Sequence, residues 1–226
     1  MRTLNAEVHA VRRDVFIDAA QRLIQSQGYE DVSIGEILAN TGASRGAFYH
    51  YFESKADLLE AVIERMTDAA TASLMPIVDD PELGAVAKLD GYFRGIARWK
   101  AERPEFVLGI VRVWLSDENA IVREKFRKGL FPQMLPLLAR IVAQGQAEGT
   151  FTIDSADETA RVLVSLVLGA NEAATDLYVA RQAGTITLEA AERTLAAYAR
   201  AFERVLGVRP GSLTFADSAT LRQWYG

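Results

Sequence analysis

Apolar positions recur along this chain with a period near 3.6 residues, and no segment sustains the two-residue alternation of a strand. Phe16, Ala20, Leu23 and Ile24 make one apolar stripe. A first helix is therefore expected over about 10–27, stopped by Gly28. Ser33 opens a short second helix. In Ser33-Ile34-Gly35-Glu36 the hydroxyl and the carboxylate can each take an N–H that a first helical turn leaves unpaired. Its apolar face is Ile34, Ile37 and Leu38, and Thr41-Gly42-Ala43 reads as a tight turn. A third, very short helix begins around Ser44 and ends near Tyr51. Ser54-Lys55-Ala56-Asp57 repeats the capping pattern and opens a fourth, with Leu58, Leu59, Val62, Ile63 and Met66 inward.

The stretch from Met75 to Pro81 interrupts the pattern and is the expected domain boundary. Beyond it, helices are expected near 84–102, 104–115, 118–148, 155–182 and 187–206. Pro132 and Pro136 should bend or split the third of these. Ser155 caps the fourth and Gly207 stops the last. The tail 208–226 has no clear period, but Leu213, Phe215, Leu221, Trp224 and Tyr225 predict that it docks on the body. The fold class is all-α, with a smaller N-terminal domain at 10–70 and a larger helical domain at 76–226.

Composition mainly excludes. Half of the 226 residues are apolar and 24% are charged, which suits globular domains with a sizeable core. The absence of cysteine removes disulfides, thiolate metal sites and cysteine nucleophiles. Two histidines, His9 and His50, are too few for a histidine metal site, so neither metal nor cofactor is expected. Glycine-rich phosphate loops and H-E-x-x-H are missing, which leaves an enzyme little chemistry. No apolar run is long enough to span a membrane, and the first residues lack a secretory h-region, so the cytoplasm is expected. The net charge of −5, taken alone, argues against a nucleic-acid partner.

The segment SIGEILANTGASRGAFYHYFESK overrides that last inference. Two helices of about two turns, joined by a four-residue turn containing Gly42, have the form of a helix-turn-helix at 33–52. Phe48 and Phe52, four residues apart, can pack inward. Arg45, Gly46, Tyr49 and His50 are then left on a face free to enter a major groove. Acidic residues outnumber basic ones by one within 1–55, so placement must do what net charge does not.

These residues closely resemble the TetR family of transcriptional regulators. The likeness rests on residues 10–70. It includes Gln27-Gly28-Tyr29, Thr41-Gly42-Ala43-Ser44, Ala47-Phe48-Tyr49-His50-Tyr51-Phe52 and Ser54-Lys55-Ala56-Asp57-Leu58-Leu59. The resemblance implies a dimeric repressor on an inverted-repeat operator in double-stranded DNA, released by a small effector. It places Ser33, Ser44, Tyr49, Tyr51 and Lys55 near phosphates. It also puts Arg45, Gly46 and Ala47 at the groove-facing start of the recognition helix, with His50 on a base or phosphate. Each serine is equally a helix cap. His9 is expected in a mobile arm. Where the family often has lysine this chain has Glu53, which weakens the basic footprint.

For the larger domain the resemblance implies effector binding and dimerisation. Leu163–Leu168 and Leu195, Tyr198, Phe202 and Val205 suit either a four-helix dimer interface or a monomer core. Candidate pocket residues are Tyr92, Phe93, Trp99, Phe106, Trp114, Phe126, Phe131 and Met134, with Asn171 and Glu172 as polar interruptions of an apolar helix. Such a pocket favours a mainly apolar or aromatic effector, and Glu172 would suit a cationic group. A hinge is expected near 66–81. Two alternatives stay open: an all-α small-molecule-binding protein or enzyme without DNA function, and a regulator controlled by a protein partner.

Overall fold

A computed structural model describes residues 2–29, 31–115 and 120–226, and the side chains of 8–29, 31–112, 115 and 133–226. Ten helices occur among the described residues, and no strand does. They are α1 (Arg2–Gln27), α2 (Ile34–Thr41), α3 (Arg45–Tyr51), α4 (Lys55–Asp79), α5 (Ala85–Ala101), α6 (Pro104–Leu115), α7 (Ala120–Ala147), α8 (Ala156–Gln182), α9 (Leu188–Leu206) and α10 (Ser218–Tyr225).

Several bounds differ from expectation. Helix α1 starts eight residues early, because Arg2–Val11 contains no glycine or proline to stop it. Helix α4 continues through Pro76 to Asp79 instead of breaking at Met75. A proline removes one helical N–H, and burial of Leu74 and Val78 on either side carries the helix across it. Pro132 and Pro136 likewise fall within the single helix α7, which is not split. The tail gains a helix, α10, capped by Asp217, whose carboxylate accepts the Thr220 N–H at 2.8 Å.

The chain divides into two compact units. One comprises Met1–Ala69 with Arg103–Gly129, the other Ala70–Glu102 with Leu130–Gly226. A single cut near residue 76 would have placed α6 in the second unit. Instead α6 packs on α1, where Gly109 sits against Ile24 and Phe106 is buried.

The first unit is built on Phe16, Phe48 and Phe52, whose rings meet at centroid distances of 5.7, 6.1 and 5.8 Å. Ile17, Ile24, Ile37, Leu58 and Val62 complete this core. Arg65 of α4 bonds Asp18 and Gln21 of α1, fixing the two helices at their exposed edge.

The second unit has one continuous apolar core. Leu74 and Val78 of α4, Leu89 and Phe93 of α5, Leu138 and Ile141 of α7, Leu163 and Val164 of α8, and Phe202 and Leu206 of α9 all belong to it. The tail docks as expected. Phe215 lies 4.4 Å from the Phe93 ring and 4.8 Å from that of Phe202, and Leu213 and Tyr225 are buried. By length and composition α8 is apolar enough to cross a membrane, yet Ala160, Leu163, Val164 and Val167 are buried in this core.

Candidate nucleic-acid interface

The geometry of the site begins with two serine caps. Ser33 holds extended backbone before α2, and its hydroxyl oxygen accepts the Glu36 N–H at 3.2 Å. The Glu36 carboxylate returns the contact by accepting the Ser33 N–H at 2.8 Å. That bond, more than any other, holds the Glu36 carboxyl below the usual carboxylate range. Helix α2 ends at Gly42, whose φ of 66° lies in the left-handed region that a side chain would strain. Two residues later Ser44 caps α3, accepting the Ala47 N–H at 3.2 Å. The turn is thus closed from both sides, and α3 leaves it in a fixed direction.

Helix α3 is anchored by one face. Phe48 is fully buried and Phe52 is 2% exposed. On the opposite face Arg45, Gly46, Tyr49 and His50 are exposed, and Ala47 is half-buried. Tyr49 is 51% exposed and stands edge-on to Phe48 at 5.3 Å, so one side of its ring rests on the core. Tyr51 is half-buried, with its ring 5.8 Å from Phe16. Backbone N–H groups, one guanidinium, an imidazole and phenol hydroxyls on one exposed face provide donors for phosphates and for base edges.

His9 is placed differently from the expected mobile arm. It stands on α1, with its ring 4.6 Å from Tyr51 and 5.5 Å from His50. His9 therefore lies beside the recognition helix, which carries His50. The only sequence signal for this would have been continuation of α1 to the N-terminus.

Lys55 also departs from expectation. Its ammonium donates to the carbonyls of Tyr29 and Val32 at 2.7 and 2.8 Å and lies 4.1 Å from the centroid of the Tyr29 ring. These contacts turn it onto the loop between α1 and α2, where it works as a tether. The arrangement does not support the phosphate pairing that the resemblance implied. Sequence could not show this, because the acceptors are backbone oxygens more than 20 residues away.

The expected pocket residues fall in both units. Tyr92, Phe93 and Met134 lie in the core of the second unit, and burial pushes the Tyr92 hydroxyl up to about 12. Trp99 is half-buried, and Phe106 belongs to the core of the first unit. The side chains of Trp114, Phe126 and Phe131 lie outside the described residues. Asn171 faces α5, where its side-chain oxygen accepts from Lys100 at 2.9 Å, whereas Glu172 is exposed. Among the described residues, no group of three or more potential metal-ligating side chains occurs.

Comparison with known proteins agrees with this geometry. Residues 16–62 match the model for bacterial regulatory proteins of the tetR family. The transcriptional regulator EthR of Mycolicibacterium smegmatis is 23% identical over 144 residues, covering 56% of this chain and 66% of that protein. The chain thus spans just under two thirds of that relative's length. The regulator BetI of Rhizobium meliloti is 30% identical over 156 residues, covering 67% of this chain and 70% of its own. Among solved structures, RolR in complex with resorcinol superposes with a TM-score of 0.64 at 20% identity, over 96% of this chain and 95% of that one. The likeness to RolR shows the fold. The match to BetI, together with the capped turn and the anchored recognition helix, shows the family: this chain belongs to the TetR family of bacterial regulatory proteins.

Proposed function

We propose that the protein is a dimeric transcriptional repressor that binds an inverted-repeat operator in double-stranded DNA and releases it when a small, mainly apolar effector binds the second unit. The observation that carries this reading is the split character of α3. Its aromatic side is locked into the core by Phe48 and Phe52, and Arg45, Gly46, Tyr49 and His50 stand on the exposed side. Arg45 reads guanine through O6 and N7, and Gly46 and Ala47 allow close approach to the bases. Ser33, Ser44, Tyr49, His50 and Tyr51 serve the neighbouring phosphates. The whole acts in the cytoplasm, where its DNA is.

Dimerisation is supported by exposed apolar positions on α8. Val162 and Val179 of α8 are 47% and 39% exposed, although that helix is strongly apolar. Pairing α8 and α9 with their symmetry mates would cover these positions and set two recognition helices on half-sites about 34–36 Å apart. Effector binding acts by population shift: the ligand prefers the form whose recognition helices miss that spacing. Helix α4 is one covalent route between the units, since it contributes Lys55–Ala69 to one and Ala70–Asp79 to the other; α7, divided at Gly129, is another.

Selection of bound duplexes from a random pool tests the reading without any ligand. An enriched short inverted repeat is the expected result, and recovery of no motif overturns it.

A further inference from the structure

Lys100 stands in the last turn of α5 and is half-buried. Its ammonium donates to Asn171 Oδ1 on α8 at 2.9 Å. Among the described residues this neutral amide oxygen is its single hydrogen-bond partner, and no carboxylate lies within 4.0 Å. Glu172 and Asp176 on α8 are both exposed. The Asn171 side-chain N–H groups likewise have no acceptor among the described residues. Two donors, one of them cationic, are therefore side by side with no anion between them.

Apolar residues lie one turn back on both helices. One turn before Lys100, Ile96 packs on the core of this unit, and one turn before Asn171, Val167 and Leu168 do the same. A bond serving only to tie α5 to α8 would be better made by a neutral donor, since withdrawing an ammonium from water is costly unless an anion compensates it. The carbonyls at the end of α5 attract a cation, and Arg98, exposed in the same turn, is available for that role.

We propose that Lys100 and Asn171 form an anion-recognition point in the second unit, and that the effector is a small organic acid: an apolar body carrying a carboxylate. The carboxylate accepts one charge-assisted bond from Lys100 Nζ and one from Asn171 Nδ2, while the body extends toward the Ile96–Leu168 side. Burial already pulls the Lys100 ammonium below the usual lysine range, and an arriving carboxylate would restore it. This reverses the cationic effector that Glu172 suggested. The identification of the acid as effector rests on the repressor reading given above.

Calorimetric titration of the full-length protein with matched pairs tests it: acetate and acetamide, benzoate and benzamide, octanoate and octanamide. At least one acid should bind at least tenfold more tightly than its own amide. Lys100→Met should abolish that preference and Lys100→Arg should keep part of it, with thermal melts confirming that both variants fold. Should Lys100→Met melt early, Lys100→Gln replaces it, keeping a polar donor to Asn171 without the charge. The inference is overturned if no acid exceeds its amide by tenfold, or if the preference survives loss of the charge. DNA selection uses no ligand, so its failure would overturn the repressor reading and leave this titration standing, and the converse also holds.

Discussion

In the first unit Ser33 and Ser44 close the helices they begin, while Arg45, Tyr49 and His50 stand in solvent. In the second unit polar groups turn inward: Lys100 onto Asn171, and the buried Glu203 carboxylate onto the Leu213 N–H at 3.1 Å. The contrast follows from what each unit is proposed to read. A DNA groove brings its own charges to a surface, so the reading groups need only be held at the right angle. A small ligand must be desolvated, so the groups that recognise it are placed where water is scarce. Rigidity is therefore the design requirement of the first unit, and controlled burial that of the second.

The sharpest way to break this comparison is to remove the anchor of α3. Phe48 is fully buried against Phe16 and Phe52. Phe48→Ala leaves a cavity in a close-packed aromatic cluster and should cost about 3–5 kcal/mol of stability. Urea denaturation followed by circular dichroism measures it. A loss under about 1 kcal/mol would show that the core collapses around the gap and that α3 is not held by this ring.

The two units also differ in how far sequence revealed them. The helix-turn-helix was legible because each device in it is local: Ser33 with Glu36, Ser44 with Ala47, Gly42 between, and Phe48 one turn before Phe52. The tail's docking was legible from Leu213, Phe215 and Tyr225, although the helix α10 that carries Tyr225 was not. Three features needed the folded chain. Lys55 finds its acceptors on a distant loop, His9 meets His50 across two helices, and Lys100 meets Asn171 some 70 residues away. Helical period predicts which side of a helix is buried, but gives no sign of which other helix a polar side chain will meet there. The same limit explains α6. Its periodicity was plain, while the helix it packs on, α1, was not.

Lys55 and Arg45 sharpen the comparison within the first unit, since both are cations of the expected DNA-contact set. Lys55→Ala removes two charge-assisted bonds to backbone carbonyls and should cost about 1.5–3 kcal/mol of stability. The dependence of DNA affinity on salt should not change. Arg45→Ala should leave stability within about 0.5 kcal/mol, because the side chain is exposed. It should cost about 1–3 kcal/mol on the selected site and relax one base position. Denaturation and DNA titrations at several salt concentrations separate the two. A flatter salt slope for Lys55→Ala would return that ammonium to the phosphates. Equal weakening by Arg45→Ala on every sequence would make Arg45 a backbone contact instead of a base reader.

The smallest effect concerns the cap of α2, and it is read through pH. Glu36 is held below the usual carboxylate range first by the Ser33 N–H, then by the Ser33 hydroxyl and the Gln27 amide, with a contribution from the Lys55 charge. Because the folded value is lowered, the charged form stabilises the fold. That contribution is fully present above the unfolded carboxylate value near about 4.3 and is lost as pH falls through the lowered folded value. Glu36→Gln keeps an acceptor that can still reach the Ser33 N–H, so it removes the charge and spares the cap geometry. Urea midpoints of wild type and variant should therefore differ at pH 7 and converge as the pH is taken below about 4. The site is exposed, so added salt should shrink the difference at pH 7 as well. A difference that stays constant from pH 7 to pH 3 would mean that the box holds α2 by geometry alone, and that its charge adds nothing to the angle at which α3 leaves the turn.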